Sequence, residues 1–81
     1  MLAELNNEKK RVVGKKQTLS VIKEGKADKV FLAEDVEKHI YNEIYQISKE
    51  NKVIVITVDS RLKLGRACGI DVSAACAALL K

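Results

Sequence analysis

The run Val53-Ile-Val-Ile-Thr-Val58 constrains the fold of this chain more than any other feature. All six of its residues are β-branched, and such side chains favour extended backbone. An unbroken apolar run of this length is typical of a strand that is covered on both faces. Residues 29–33 (KVFLA) form a second apolar run of strand length. The sequence therefore predicts two buried strands, at 29–33 and 53–58.

The segment between these two strands has the periodicity of an amphipathic helix. Its apolar positions recur at intervals of four, four and three residues, at Val36, Ile40, Ile44 and Ile47. Asp35 is the expected N-cap, and Glu37 in the first turn suits the helix dipole. A helix over 36–49 completes a βαβ unit, whose strands should be parallel and whose crossover should be right-handed.

Shorter elements are predicted before and after this unit. Residues 2–10 suggest a short helix and residues 11–13 a brief strand. Residues 17–24 have helical spacing, and Gly25 follows where a left-handed C-terminal residue is favoured. Ser60 is the expected cap of a helix over 61–68 that ends at Gly69.

The C-terminal segment 73–80 (SAACAALL) is ambiguous. Its alanine content favours a helix, whereas the need for another neighbour in the sheet favours a short buried strand, which we expect. The whole chain has 81 residues, a length that allows one domain, spanning 1–81. The predicted fold class is α/β, a three-layer α/β/α sandwich around a small mixed four-stranded sheet.

Composition excludes several protein classes. No apolar run approaches the roughly 20 residues that span a bilayer, and the N-terminus lacks the apolar stretch of a signal peptide. Cys68 and Cys76 are too few for a disulfide framework or a four-ligand zinc site. We therefore expect a cytoplasmic protein with no membrane association, no cofactor and no bound metal.

Catalytic chemistry finds little support in the sequence. His39 lies on the polar side of the helix over 36–49, and no serine, cysteine or second histidine stands at a useful spacing from it. Cys68 precedes a glycine at a helix C-terminus, which raises a thiol pKa, and Cys76 lies in an apolar strand. Neither a Walker-type phosphate loop nor a GxGxxG motif is present. The protein is not expected to be an enzyme.

Charge is distributed unevenly along the chain. Residues 1–26 contain seven basic and three acidic side chains, residues 27–59 four and seven, and residues 60–81 four and one. If the two ends fold onto one side, a basic face opposes an acidic back, as expected of a protein that binds a polyanion. An unevenly charged but merely solvated surface is the alternative.

The most informative local feature is the segment Gly14-Lys15-Lys16-Gln17-Thr18. A strand ends, a glycine follows, and a helix begins with unpaired N–H groups that attract anions. Two lysines add positive charge for phosphates, and the Gln17 amide can donate to and accept from a base edge. A second feature is residues 64–72 (LGRACGIDV), where a helix closes on a glycine and a short loop follows with two apolar residues around one acid.

Taken together and in order, GKKQT, LAEDV, VDSR and LGRACGI resemble the kink-turn-binding family of ribosomal proteins. Members of that family include the large-subunit seven-Ae protein, the fifteen-and-a-half-kilodalton spliceosomal protein and small bacterial relatives. The resemblance extends from residue 11 to residue 80, and LGRACGI is its most specific stretch. Length, strand order and charge layout agree with the resemblance, and the chain looks most like the short bacterial branch.

The resemblance implies a set of RNA-binding residues. By position these are Gly14, Lys15, Lys16, Gln17, Thr18, Ser20, Glu37, Arg61, Ile70, Asp71 and Val72. Residues 14–17 would enter the groove at tandem sheared G·A pairs, and Glu37 would touch an extruded nucleotide that residues 70–72 cover. Arg61 would lie near the RNA backbone. Ser20 stands where many members have a lysine, which implies the loss of one phosphate contact.

The function implied by the resemblance is recognition and stabilisation of kink-turns in ribosomal or riboswitch-like RNA, with the ribosome as one expected partner. RNA of this kind is recognised through distorted pairs and exposed edges, and three aromatic residues are too few for a stacking platform. A monomer is expected because no apolar helix face is left uncovered. The main alternative is a protein–protein adaptor that docks through acidic residues, namely Asp28, Glu34, Asp35, Glu43 and Glu50. A small thiol enzyme is a third reading.

Overall fold

The structure is a computed structural model that describes residues 5–81, apart from the side chain of Glu8. In chain order the elements are a 3-10 turn at Glu8–Lys10, β1 (Arg11–Val13), α1 (Lys15–Lys23), β2 (Ala27–Ala33), α2 (Lys38–Glu50), β3 (Ile54–Val58), α3 (Arg61–Ala67) and β4 (Cys76–Leu80). The sequence predicted a helix over 2–10. Residues 2–4 lie outside the described part of the chain, and the described remainder forms the 3-10 turn instead of an α-helix.

The four strands form one mixed sheet in the order β1-β4-β2-β3. The strands β2 and β3 are parallel, as the βαβ unit predicted, whereas β4 is antiparallel to both of its neighbours. The ambiguous C-terminal segment is therefore a strand, in the centre of the sheet. Its first four residues are buried, and their small side chains let helices approach closely on either face.

Helices cover both faces of the sheet, which confirms the three-layer α/β/α architecture. Val30 and Leu32 of β2 pack in one core cluster with residues of α1 and α2, including Ile22 and Ile44. Phe31, between them in sequence, points to the opposite face and packs with Leu64 and other residues around α3. The alternation follows from the period of two in a strand. Two cores therefore stabilise the domain, one on each face.

The prediction that residues 53–58 are covered on both faces holds only in part: Ile56 packs against one core cluster and Val55 against the other, but the strand is not buried along its length. The strand β3 lies at the edge of the sheet, where Ile54 is 59% exposed and Thr57 is also exposed. Only Val58 is fully buried, at the end where α3 begins. A continuous β-branched run records strand propensity and says nothing of position in the sheet, which depends on where β4 inserts.

The predicted start of the central helix is wrong. α2 begins at Lys38 with Glu37 as its N-cap, and no side chain caps it. Asp35 instead accepts a hydrogen bond from the backbone N–H of Arg61, at 2.8 Å. Val36 packs against both core clusters. The chain therefore turns around the end of the sheet before the helix starts.

The C-terminal end of α3 is fastened to the beginning of the described chain by Arg11. Its Nε donates to the carbonyl of Leu5 at 2.9 Å, and one terminal nitrogen donates to the carbonyl of Cys68 at 2.8 Å. Arg11 is half-buried. This cation therefore has a structural role and does not belong to an exposed basic face.

Candidate functional site at one end of the sheet

Strand directions bring the predicted binding segments to the same end of the sheet. The strands β1, β2 and β3 all end there, and β4 begins there. The register fixes this arrangement, because Val13 pairs with Ala77, Leu32 with Cys76, and Ala33 with Val58. Segments that directly follow or precede these residues, at 14–17, 34–37, 59–61 and 70–75, are consequently neighbours in space although they lie far apart in sequence.

The start of β4 joins these segments through backbone hydrogen bonds. The carbonyl of Cys76 accepts from the N–H of Gly14 at 2.8 Å, and the carbonyl of Ala75 accepts from the N–H of Ala33 at 2.9 Å. The start of α1 and the end of β2 are thereby fixed to one short stretch of chain. Sequence reasoning missed this role for the start of β4, since no local pattern marks it.

Residues 14–17, which we call the basic turn, connect β1 to α1. Gly14 has φ +101° and ψ 158°, a conformation that other residues adopt only with strain, although space for a Cβ is open there. Its carbonyl accepts from Thr18 N–H at 3.0 Å, so the N–H groups of residues 15–17 have no partner within the helix. Lys16 and Gln17 are exposed. The turn offers backbone donors, a cation and an amide to a ligand.

Two further predicted residues of α1, Thr18 and Ser20, differ in exposure. Thr18 is fully buried, so its side chain lies beneath the turn and not on its exposed surface. Its period in α1 explains this, since Val21 and Ile22 are buried on the same side of the helix. Ser20 is exposed one turn later, with its hydroxyl 3.4 Å from Oε2 of Glu24.

Lys15 is held by a carboxylate of α2. Its Nζ lies 2.9 Å from Oε1 of Glu43, and both side chains are partly exposed. The Lys15 hydrogen bond is the largest influence on this carboxyl and lowers the pKa of Glu43 below its ordinary value. An anion that binds Lys15 must therefore compete with Glu43. The partners are far apart in sequence, so no sequence pattern indicates the pair.

Residues 70–73, which we call the apolar loop, lie against α3. A Cβ added to Gly65 would collide with the backbone carbonyl of Val72, which explains why the motif has glycine inside a helix. Ile70 donates its N–H to the carbonyl of Gly65 at 3.1 Å and packs against the core. Val72 is 66% exposed. The loop is thus anchored by one apolar residue and presents another to solvent.

The remaining predicted residues are Arg61 at the start of α3, Glu37 at the start of α2 and Asp71 within the apolar loop. Arg61 is exposed; besides the N–H bond to Asp35, its Nε is 3.5 Å from Oδ1 of the same carboxylate. The carbonyl of Arg61 accepts from Ala74 N–H at 3.0 Å, which holds the end of the loop. Glu37 is exposed at the start of α2, with Oε2 at 3.7 Å from Nδ1 of His39. Asp71 is also exposed.

The predicted separation into a basic face and an acidic back is incomplete. Acidic residues of the middle segment pair with cations of both ends, Glu43 with Lys15 and Asp35 with Arg61. The five acidic residues of the adaptor alternative do not all lie together. Asp28 lies near the start of β2 and Glu34 directly after its end, so these two acids are at opposite ends of the sheet.

Both thiols are core residues. Cys68 and Cys76 are buried and unbridged, and burial is the main cause that raises the pKa of each thiol. Among residues 5–81 no group of three or more histidine, cysteine or acidic side chains is placed to hold a metal ion. Within the same range, none of the helices has the length and apolar character to cross a bilayer.

Comparison with known proteins adds to this geometry. A family model described as "Ribosomal protein L7Ae/L30e/S12e/Gadd45 family" matches residues 1–81. A protein of Geobacillus sp. (strain WCH70) named as RNA-binding is 47% identical over 72 residues, which are 89% of this chain and 88% of that protein. The large ribosomal subunit protein eL8 of Halobacterium salinarum is 35% identical over 68 residues, 83% of this chain and 57% of that protein.

The fold has a close counterpart among solved structures. The Giardia lamblia 15.5kD RNA binding protein superposes with a TM-score of 0.88 at 23% identity, over 99% of this chain and 68% of that one. At this identity the likeness concerns the fold, and it agrees with three helices around a four-stranded mixed sheet.

Proposed function

The chain belongs to the L7Ae/L30e/S12e/Gadd45 family of ribosomal proteins, and we propose that it is an RNA-binding protein that recognises and stabilises kink-turns. Its target would be a bent internal loop with tandem sheared G·A pairs and an extruded nucleotide, in ribosomal or regulatory RNA. Relatives named as RNA-binding, of which this chain covers nearly the whole length, support the coarser part of the proposal.

One observation supports the proposal most directly. The basic turn is joined to the start of β4 at Cys76, and the chain that follows the apolar loop is joined to α3 at Ala74 and to the end of β2 at Ala75. A single RNA element can therefore touch both at once. Polar groups and an apolar surface side by side suit an RNA that offers both base edges and an unstacked base, as distorted internal loops do.

We assign the basic turn to the groove of the bent RNA. Gln17 can donate to and accept from the exposed edges of sheared pairs. The unpaired N–H groups of residues 15–17 face the anionic backbone at the positive end of the helix. Lys16 is exposed and forms no ion pair with another residue of the described part of the chain, so it is the cation best placed for a phosphate.

We assign the apolar loop and its surroundings to the extruded nucleotide. Val72 offers an exposed aliphatic surface, and Ile70 and Gly65 hold the loop in place beneath it. Burial of apolar area against a base contributes about 25 cal/mol per Å². We assign Glu37 and Arg61 to the rim of this surface, where the carboxylate would accept from the nucleotide and the guanidinium would reach its phosphate.

We propose a binding role in the bacterial cytoplasm, on the ribosome or a regulatory RNA, without a catalytic step. The buried thiols, whose pKa values are raised, are unsuited to nucleophilic work. Asp35 and Glu43 are engaged with cations at the site. These carboxylates therefore serve to position Arg61 and Lys15.

The test is a titration of the protein into a labelled kink-turn RNA. A control RNA has its sheared G·A pairs replaced by Watson–Crick pairs, with the same length and charge. Shape-specific recognition predicts a loss of at least about a hundredfold on the control, or about 2.8 kcal/mol. Weak binding that is equal for both RNAs and steeply salt-dependent would contradict the proposal. It would mean that the lysines bind the phosphate backbone without recognising the shape of the RNA.

A further inference from the structure

The outer edge of β3 is a pairing surface that the proposed RNA site does not use. β3 has a strand neighbour, β2, on one side, and within residues 5–81 no strand lies on its other side. Residues 53–58 contain no charge, proline or glycine, the features by which proteins protect exposed edges from pairing. The opposite edge of the sheet is different, since β1 has only three residues and contains Arg11.

The hydrogen bonds between β2 and β3 determine which residues of β3 point their backbone N–H and C=O groups toward the outer edge. The carbonyl of Val58 accepts from Glu34 N–H at 2.8 Å, so it points inward, toward β2. Backbone groups in a strand alternate between its two edges. Ile56 therefore also points its N–H and C=O inward, whereas Val55 and Thr57 point theirs outward. These two residues present unpaired donors and acceptors to a strand outside the domain.

We propose that this edge pairs with the same edge of a second copy of the chain, in an antiparallel arrangement about a two-fold axis at Ile56. This register sets Val55 of one copy opposite Thr57 of the other. Because both point outward, each such pair exchanges two N–H···O bonds, and the axis generates the pair twice. The result is one continuous sheet through both domains.

Side chains and charges match in the same register. Ile54, which is 59% exposed, comes opposite Val58 of the second copy, and the two Ile56 side chains meet at the axis. Lys52 comes near Asp59 of the second copy, whose side chain is 81% exposed and also lies 3.4 Å from Nζ of Lys63 in its own chain. The edge is therefore apolar in the middle and complementary to itself in charge at its ends, which favours a second copy over an unrelated strand.

The arrangement leaves the RNA site open. Antiparallel pairing turns the C-terminal ends of the two β3 strands in opposite directions, so the two candidate sites face away from each other. A dimer can therefore hold two RNA elements at once. The sequence predicted a monomer because no apolar helix face is left uncovered, but a sheet edge is a surface that helix periodicity does not report.

The test is sedimentation velocity of the whole protein without RNA, between about 10 and 500 μM, a range in which small interfaces associate. We expect a dimer that forms with rising concentration. Thr57→Pro removes an outward N–H, which an edge strand tolerates, and should abolish the dimer with the far-UV circular dichroism unchanged. Thr57→Lys is a second disruptive variant, and Gln46→Lys adds the same charge on the exposed side of α2 as its control.

A charge reversal tests the register itself. Lys52→Glu and Asp59→Lys should each weaken the dimer about fivefold, the scale of exposed ion pairs, and the double reversal should restore it. A protein that stays monomeric at every concentration would overturn the proposal. So would a dimer that tolerates Thr57→Lys, or a double reversal as weak as the single variants. None of these results depends on whether the protein binds RNA.

Discussion

The basic turn and the apolar loop lie at the same end of the sheet but owe their shapes to opposite causes. The turn is fixed by a backbone dihedral: Gly14 has φ +101°, and no atom lies within 4 Å of the Cβ it lacks. The loop is fixed by close approach: Gly65 has ordinary helical backbone, and its missing side chain makes room for the Val72 carbonyl. The first glycine supplies a conformation and the second supplies a space.

The two regions also differ in what they offer to a ligand. The turn exposes polar groups, Lys16 and Gln17, whereas the loop exposes the aliphatic side chain of Val72. Hydrogen bonds depend on direction and give specificity, while apolar cover depends on area and is tolerant of sequence. Under the proposed function, we therefore expect the turn to discriminate between RNAs and the loop to add affinity.

The largest expected effect separates the two glycines. Gly65→Ala places a Cβ against backbone that cannot rotate away, so we expect a loss of stability near the upper end of about 1–3 kcal/mol. Gly14→Ala meets open space and costs only backbone strain, about 1–2 kcal/mol. Urea denaturation measures both. If Gly65→Ala lowers the free energy of unfolding less than Gly14→Ala does, the loop backbone at Val72 moves away from the added Cβ more easily than its contacts indicate.

Next in size is the removal of the turn's amide. Gln17→Ala should weaken kink-turn binding by about 1–3 kcal/mol, as expected for a lost base contact, and reduce discrimination against the Watson–Crick control RNA. Gln46→Ala, the same substitution on the exposed side of α2, is the matched control and should bind like the parent. If Gln17→Ala binds the kink-turn RNA as tightly as the parent does, the proposed contact between the basic turn and the RNA groove is wrong.

Truncation of the loop's exposed side chain should have a smaller effect. Val72→Ala removes aliphatic cover and should weaken binding by about 1 kcal/mol. Stability should stay within about 0.5 kcal/mol of the parent because the side chain is mostly exposed. Discrimination between the two RNAs should be retained. A loss of discrimination equal to that of Gln17→Ala would show that the loop, like the turn, contributes to discrimination between the two RNAs.

The smallest effect concerns Lys15. Glu43→Gln removes the competing carboxylate, so we expect binding about two- to threefold tighter and a salt dependence steeper by up to about one unit of slope. Lys15→Ala should do the reverse. Titrations over a range of salt concentrations measure both slopes. An unchanged salt slope in both variants would show that Lys15 contacts Glu43 of α2 but not the RNA.

The same pair has a defined pH dependence. Because Lys15 lowers the pKa of Glu43 below its ordinary value of 4.5, the carboxylate stays charged as the pH falls toward that value. The contribution of the pair is therefore present above pH 4.5 and is lost only below it. The parent and Glu43→Gln should differ by a constant factor between about pH 5 and 8.

Most of the fold could be predicted because its signals are local. Gly25 and Gly69 end helices in left-handed conformations as expected, with φ of +73° and +76°, and Ser60 caps α3 through a hydrogen bond from Lys63 N–H at 3.1 Å. Parallel pairing of β2 with β3 followed from the helix between them. The errors at Asp35 and β3 have one cause, since both depend on segments that meet only in the folded chain.

The candidate site divides in the same way. The sequence by itself determined where the turn and the loop begin, because glycines at 14 and 69 and the adjoining polar or apolar residues act through their own backbone and chemistry. Tertiary structure alone decided that Thr18 is buried and that Glu43 holds Lys15. It also decided that β3 is an edge, because burial, ion pairing and sheet order depend on distances between residues that the chain order leaves free.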